Sequence, residues 1–177
     1  MEVFQGRPAD VTGRLEKEIA VYDLLNQLDI PFRRVDHDHA DTMEMCQEID
    51  QALGQDICKN LFLCNRQKTK FYLLLMPGDK PFKTKDLSAQ IGSSRLSFGG
   101  PEDMERLLNL TPGSVTVLGL MYDPDCQVTL LIDQDLYQQT AFGCHPCINT
   151  STVQFSTADF REKLLPALGH PVTLVQL

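Results

Sequence analysis

The chain has 177 residues, of which 42% are hydrophobic and 23% are charged, and its net charge is −8. This length suits one domain with a substantial core, so we expect residues 1–177 to form a single domain. No stretch approaches the 18 apolar residues of a membrane span, and the first residues lack the basic and apolar regions of a signal peptide. We therefore expect a cytoplasmic protein that does not bind membranes, with its six cysteines reduced.

The acidic excess argues against a general affinity for nucleic acids such as DNA, because their phosphates attract clustered Lys and Arg. The charge is unevenly distributed along the chain. Residues 59–95 contain eight basic residues against two acidic ones, a net charge of +6, which leaves −14 for the remainder. One basic patch on an acidic body would bind an RNA end without binding RNA everywhere. The alternative is a set of solvated charges on turns and helices.

Hydrophobic periodicity predicts helices and strands in the first half of the chain. Residues 12–29 are expected to form a helix that stops before Pro31, followed by a short strand at 32–36. Residues 42–53 predict a second helix, with Thr42 as its N-cap and Gly54 after its end. The apolar runs 57–64 and 70–76, separated by a polar stretch, predict a hairpin.

In the second half, residues 84–91 predict a helix, 95–98 a short strand, and the segment from Gly100 through Leu108 another helix. Residues 114–121 and 128–132 are expected to be partner strands, and 140–153 a loop. Ser156 begins the final helix with Asp159 as its capping-box partner, and 172–175 predict a last strand. Interspersed helices and strands with at least two hairpins predict an α+β fold, with a mixed, largely antiparallel, half-barrel-like sheet flanked by helices.

Two distant segments contain the side chains best suited to chemistry. Residues 59–60, Lys-Asn, open an apolar run, where burial of a lysine charge is costly. Residues 145–150 begin with His-Pro and end in Asn-Thr, which suggests a polar loop. With segments 33–37, 95–98 and 112–116, this ordered series resembles the YbaK or prolyl-tRNA synthetase-associated editing domain family. Members of that family hydrolyse amino acids wrongly attached to tRNA.

The resemblance covers nearly the whole chain and is greatest to the free-standing members, which act on alanine attached to the tRNA for proline. It implies a trans-acting deacylase whose partners are a tRNA acceptor end carrying a small amino acid and prolyl-tRNA synthetase. It implies neither a cofactor nor a metal. Because an aminoacyl ester is already activated, such an enzyme has mainly to position the attacking group, stabilise the oxyanion and admit only the right amino acid.

The resemblance also assigns roles to individual residues. Lys59 is expected to contact the substrate end, and His145 to orient the attacking water or ribose hydroxyl. Amides from Gly143 to His145 are expected to hold the oxyanion, although the glycine usually found four residues before this histidine is Ala141 here. The other residues expected to bind substrate are Asn60, Arg95, Thr42, Cys144, Pro146 and Asn149, with Asn60 and Arg95 as acceptor-stem contacts.

Other functions remain compatible with the sequence. The same pocket could bind tRNA or an amino acid as a regulatory signal, without turnover. Cys144 and Cys147 form a C-x-x-C motif, which also occurs in redox proteins and zinc sites, but the following segment looks extended and no second ligand pair is present. Residues 36–39, Asp-His-Asp-His, are a further metal candidate, because alternate residues of a strand share a face.

Overall fold

Nine strands and six α-helices are interspersed along the chain, in a computed structural model that describes residues 1–177. The strands are β1 (Phe4–Gln5), β2 (Arg33–Asp36), β3 (Lys59–Cys64), β4 (Phe71–Met76), β5 (Ser97–Phe98), β6 (Val128–Asp133), β7 (Ala141–Cys144), β8 (Ser151–Ser156) and β9 (Val172–Val175). The helices are α1 (Glu16–Gln27), α2 (Met43–Leu53), α3 (Thr84–Ile91), α4 (Pro101–Leu108), α5 (Thr157–Asp159) and α6 (Leu165–Leu168). The predicted α+β class is confirmed.

The strands form two sheets rather than one. The first sheet has the order β1-β2-β8-β7, and every neighbouring pair is antiparallel. The second sheet has the order β5-β3-β4-β6-β9, in which β3 is antiparallel to β4 and β5, whereas β6 is parallel to β4 and β9. The strand arrangement is thus mixed and largely antiparallel, as predicted, and the predicted β3–β4 hairpin is present.

The central strand β4 is buried on both faces. Alternate side chains of a strand point to opposite faces, so Leu73 and Leu75 join the main core while Leu74 and Met76 join a second core that contains Leu87 of α3. The main core takes side chains from both sheets and from α1 and α4. This two-sided burial explains why β4 is an unbroken apolar run.

The predicted helix ends are largely observed. Thr42 Oγ1 accepts from the Met45 N–H (3.1 Å), and Gly54 ends α2 with a left-handed φ of 72°. Ser156 Oγ likewise accepts from the Asp159 N–H (3.0 Å). The last helical stretch is interrupted between α5 and α6 by a π-helical segment, Phe160–Leu164. Pro166 follows that segment and lacks the N–H that a regular α-helix would use there.

Two predictions for the second half were wrong, and one short strand of the first half was not predicted. Residues 114–121 are not a strand, since Val117–Tyr122 is a 3₁₀-helix, and β6 therefore has no hairpin partner there. The expected loop at 140–153 contains β7 and the start of β8, which form a hairpin. The short strand β1 was not predicted at all. None of the helices has the length and apolar character needed to cross a membrane.

Candidate functional site

A cavity of about 470 Å³, here called the larger cavity, lies where β3 begins and β7 ends. Lys59 is the first residue of β3, His145 directly follows β7, and both line this cavity. Asp50 of α2 and Asp56, from the segment before β3, line it as well. The two side chains with the strongest sequence signal therefore share one cavity.

A second cavity of about 260 Å³, the smaller cavity, adjoins the first. The two share Ile57, Cys58 and His145, so His145 lies at their junction. Lys59 and Asn60 are successive strand residues and point to opposite faces of β3. Accordingly, Lys59 borders only the larger cavity and Asn60 only the smaller one. The smaller cavity is otherwise walled mainly by apolar or thiol side chains, namely Ile57, Cys58, Val115 and Cys144.

The imidazole of His145 has a defined proton position. Its Nδ1 lies 2.8 Å from the carbonyl oxygen of Ser151, which can only accept, so Nδ1 carries the proton. Burial lowers the pKa of His145 and the like charge of His37 lowers it further, while the bond to Ser151 raises it. The ring is therefore neutral at pH 7. Its Nε2, which no protein group contacts, is available as a hydrogen-bond acceptor or general base.

The ammonium group of Lys59 forms no ion pair with a carboxylate. Its Nζ donates to the carbonyl oxygen of Lys80, and none of the ion pairs in the structure includes it. Lys80 instead pairs with Asp133 at 2.8 Å and Asp135 at 2.6 Å. An ammonium has three donors, so two of the Lys59 donors remain for a ligand.

The Asp50 carboxylate of the larger cavity is bonded to the backbone of Ile57, which also lines that cavity. Asp50 Oδ1 accepts from the Ile57 N–H at 3.0 Å. Burial raises the pKa of Asp50 and repulsion from Asp56 raises it further, against the lowering effect of that hydrogen bond. The larger cavity thus combines one ammonium, one imidazole and two carboxyl groups.

Strand β7 is an edge strand of the first sheet, and its outer edge faces the segment before β3. The Thr157 N–H donates to Thr140 O at 3.0 Å, and hydrogen-bonded pairs alternate along an antiparallel ladder. Ala141 and Gly143 must therefore point their N–H and C=O groups away from β8. The segment before β3 lies along this edge, because Gln55 Nε2 donates to Ala141 O (2.6 Å) and Cys58 Sγ to Gly143 O (3.4 Å).

Gly143 is buried and borders neither cavity. A Cβ at this position would come no closer than 3.7 Å to any neighbour, and its φ is not in the left-handed region. Neither space nor backbone conformation therefore requires glycine here. Within the predicted amide segment, Cys144 and His145 are the residues that reach the cavities.

Some predicted site residues lie beside the two cavities without lining them. Asn149 joins the loop after β2 to the loop after β7, because its Oδ1 accepts from the Ala40 N–H (3.0 Å) and its Nδ2 donates to Asp41 (2.8 Å). Pro146 is buried directly after His145. Both residues support the loop that presents the imidazole.

Two further predicted residues are more distant. Thr42 is exposed, caps α2 and borders neither cavity. Arg95 is exposed two residues before Ser97, which pairs with Cys64 at the opposite end of β3 from Lys59. The structure therefore does not bring Thr42 or Arg95 into the cavities.

The C-x-x-C motif does not have the surroundings of a redox pair. Cys144 and Cys147 are both buried free thiols. Burial raises the pKa of Cys147 to about 12, and burial together with Cys58 raises that of Cys144 further. Thiolates are the reactive form, and redox cysteines have lowered pKa values. These thiols serve instead as apolar wall and core.

The Asp-His-Asp-His segment is engaged by protein partners. The Asp36 carboxylate pairs with Arg14 at 3.1 Å and also with Arg34. His37 Nε2 lies 2.8 Å from Thr152 Oγ1. No group of three or more His, Cys, Asp or Glu side chains is arranged to hold a metal ion.

Sequence reasoning missed several residues of the site, among them Asp50, Asp56 and Cys58, and it also missed Thr152, which contacts His145. Thr152, fully buried in β8, places its Oγ1 3.3 Å from His145 Nδ1 and also bonds His37. Finding it required the pairing of Val35 with Thr152 across β2 and β8, whereas the sequence around Thr152 had been interpreted as a loop.

Comparison with known proteins connects this geometry to a family. Residues 37–163 match the family described as the aminoacyl-tRNA editing domain. The prolyl-tRNA editing protein ProX of Acetoanaerobium sticklandii is 31% identical over 163 residues, which cover 92% of this chain and 99% of that protein. The prolyl-tRNA synthetase associated domain-containing protein 1 of Danio rerio is 28% identical over 169 residues, which cover 94% and 88%.

Solved structures share the fold. The crystal structure of a candidate trans-editing enzyme for prolyl tRNA synthetase superposes with a TM-score of 0.66 at 17% identity, covering 92% of this chain and 98% of that one. The class that the fold and the sequence define is that of the aminoacyl-tRNA hydrolases. The chain belongs to the aminoacyl-tRNA editing domain family, as the sequence resemblance predicted.

Proposed function

We propose that the protein is a trans-acting deacylase of the cytoplasm whose substrate is alanine attached to the tRNA for proline, and that residues 1–177 act as one editing domain. The observation that carries the proposal is that Lys59 and His145 line one cavity in a chain of this family. The name of ProX, a prolyl-tRNA editing protein, supports prolyl-tRNA as the carrier. Errors of prolyl-tRNA synthetase are the source of such a substrate.

In this proposal the ester carbonyl lies beside His145 at the junction of the cavities. Nε2 takes a proton from the attacking water as the oxygen bonds to the carbonyl carbon, and the proton then passes to the departing ribose oxygen. The products are free alanine and tRNA with its hydroxyl restored. The backbone amide of His145 stabilises the oxyanion, because Gly143 borders neither cavity and the Cys144 N–H is directed at β8. The Lys59 ammonium holds the terminal ribose or phosphate as a point charge.

Selection by size is the specificity device that we propose for the smaller cavity. Its walls, Cys58, Val115 and Cys144, would surround a methyl side chain, and proline would be excluded by steric clash. Asn60 lies at this cavity with its Oδ1 accepting from the Val117 N–H (3.0 Å) and its Nδ2 donating to the carbonyl oxygen (3.3 Å) and Sγ (3.2 Å) of Cys58, so it would contact the acceptor end by exchanging one of these bonds. Arg95 would contact the acceptor stem outside the cavities.

The test is release of alanine from alanyl-tRNA for proline, measured beside a panel of other mischarged tRNAs and correctly charged prolyl-tRNA. We expect the wild-type protein to release alanine and to leave prolyl-tRNA intact. Intact alanyl ester after long incubation would remove the proposal.

The role of Lys59 is tested separately. Lys59→Ala should slow turnover by about tenfold or more, because one lost transition-state contact has an effect of this order. Lys83→Ala, an exposed lysine of the same basic segment, is the matched control and should leave turnover unchanged. Unaltered kinetics of Lys59→Ala would refute the role of Lys59 and leave the deacylase activity standing.

A further inference from the structure

His145 is linked to a second histidine through one buried hydroxyl. Thr152 Oγ1 lies 2.8 Å from His37 Nε2 and 3.3 Å from His145 Nδ1. The two imidazole rings have centroids 6.0 Å apart and are inclined at 54°. Thr152 is opposite Val35 in the β2–β8 ladder, and His37 follows Val35 by two residues, so both side chains lie on the same face of the first sheet.

The hydrogen bonds determine where each proton lies. His37 Nδ1 is 2.7 Å from the carbonyl oxygen of Asp38, so Nδ1 is the donor and Nε2 of the neutral ring is an acceptor. Thr152 must then donate its hydroxyl proton to His37. Only lone pairs of Thr152 Oγ1 are left to face His145 Nδ1, whose N–H is shared between Ser151 O and this hydroxyl oxygen.

We propose that Thr152 and His37 are positioning residues for His145. By accepting the hydroxyl proton, His37 makes Thr152 Oγ1 a pure acceptor, and together with Ser151 O this oxygen holds His145 in the Nδ1–H tautomer. Its Nε2 then keeps a lone pair, in a ring that lines both cavities. The catalytic consequence rests on the proposed deacylase function, whereas the tautomer is a property of the protein without substrate.

This arrangement prepares His145 for its role as a base. When Nε2 takes a proton, the ring becomes positively charged and no other proton has to move. Two oxygen acceptors are already in place at Nδ1 to stabilise that charge, which is the condition for low reorganisation in an active site. The chain from His145 through Thr152 to His37 strengthens the acceptor, because linked hydrogen bonds polarise one another.

The first test measures the tautomer directly. Ring-nitrogen NMR of the ¹⁵N-labelled protein shows which nitrogen of His145 is protonated. We expect Nδ1 in the wild type and in Thr152→Ser, which keeps the hydroxyl. Thr152→Val keeps the β-branched shape that suits a strand but lacks the hydroxyl, and should shift His145 measurably towards the Nε2–H form. A wild type protonated on Nε2, or an unshifted Thr152→Val, would overturn the proposal.

The second test is a kinetic cycle on alanyl-tRNA. Thr152→Val should lower kcat about fivefold with little change in KM, the factor expected for one hydrogen bond of typical net strength. His37→Ala should also lower kcat, and His37→Gln, whose side-chain oxygen can accept from Thr152, should recover most of the loss.

The double variant decides whether His37 acts through Thr152. If it does, Thr152→Val combined with His37→Ala should be no slower than Thr152→Val alone. Losses that multiply in the double variant would show that His37 acts independently and would overturn its part in the proposal. If the wild type deacylates no tRNA, the deacylase proposal fails, and the NMR result alone decides this one.

Discussion

At the scale of single residues, the position of the His145 ring determines its charge. Burial lowers the pKa of His145 most and the neighbouring His37 lowers it further, against the effect of the Ser151 hydrogen bond. A general base is active only when it is deprotonated. Because the pKa lies below the ordinary histidine value of 6.5, kcat/KM for alanyl-tRNA should keep more than half of its plateau value at pH 6.5 and should reach its midpoint only in more acidic solution. A profile already half-lost at pH 6.5 would contradict this assignment.

The same residues provide an internal check of that profile. Without the His37 ring, no positive charge can form beside His145 in acidic solution, so His37→Ala should move the acid limb to higher pH. His39→Ala is the matched control, since His39 is exposed and does not contribute to the shift of His145. A limb that moves equally in both variants would show that His37 has no specific influence on His145.

Single residues also show what the sequence could predict. Lys59 and His145 were predicted because the residues around them resemble the editing family, whereas the position of Lys59 alone would favour a surface lysine with its stem on apolar neighbours. Thr152 was not, because its role depends on the register that sets β2 against β8. The amide of Gly143 was expected to hold the oxyanion, yet this residue borders neither cavity.

At the scale of elements, the errors have a common physical cause. The apolar run at 114–121 is too short for its periodicity to separate a strand from a helix, and tertiary contacts decide between them. Asn60 Oδ1 accepts from the Val117 N–H, and Thr116 caps the first turn through the Leu118 N–H (3.3 Å). A Cβ on Gly119 would lie 2.6 Å from Leu110, so this turn also packs closely. Asn60 lies 57 residues before Val117, and Leu110 also lies outside the run, so no pattern within 114–121 could reveal these contacts.

The turn after β4 controls the wall between the two cavities. A Cβ on Gly78 would overlap the carbonyl oxygen of Ile57, a backbone atom that cannot rotate away, and Ile57 borders both cavities. Gly78→Ala should therefore lower the free energy of unfolding by about 1–3 kcal/mol, as overpacking typically does, and should also lower kcat/KM. Urea denaturation and deacylation kinetics measure the two effects.

Gly100→Ala is the control for this prediction, because a Cβ at Gly100 meets nothing within 4 Å. It weakens only the N-cap of α4, a loss of about 1 kcal/mol or less, and should leave kcat/KM unchanged. If Gly78→Ala kept full activity, the position of Ile57 would not matter for the reaction.

At the scale of the whole molecule, the eight basic residues of segment 59–95 fall into three groups with different surroundings. Lys80 is neutralised by two aspartates, and Lys59 faces the larger cavity. The other six are exposed and form no ion pair, namely Arg66, Lys68, Lys70, Lys83, Lys85 and Arg95. The Arg66 N–H donates to Ser94 Oγ at 3.3 Å, which brings the β3–β4 turn beside Arg95.

This distribution of basic residues predicts the direction in which a bound acceptor stem would lie. Strand β3 joins Lys59 at the larger cavity to the β3–β4 turn, a distance of about 16 Å at the usual rise per residue. An RNA whose end enters the cavity and whose stem follows β3 would meet Arg66, Lys68 and Arg95. The rest of the acidic molecule would repel it, so binding at low salt should depend on this one surface.

Reversing two of these charges tests that direction. Arg66→Glu with Lys68→Glu should raise KM for alanyl-tRNA about tenfold at low salt with kcat nearly unchanged, and the difference should shrink as salt is added, because phosphate contacts are screened. Lys163→Glu in the last helical stretch is the control and should change KM little. A short RNA fragment that ends in the alanyl ester but lacks the stem should be hydrolysed equally well by the wild type and by the Arg66→Glu, Lys68→Glu double variant. If the double variant raised KM for that fragment as much as for the full tRNA, the two side chains would be acting at the cavity and the stem would run elsewhere.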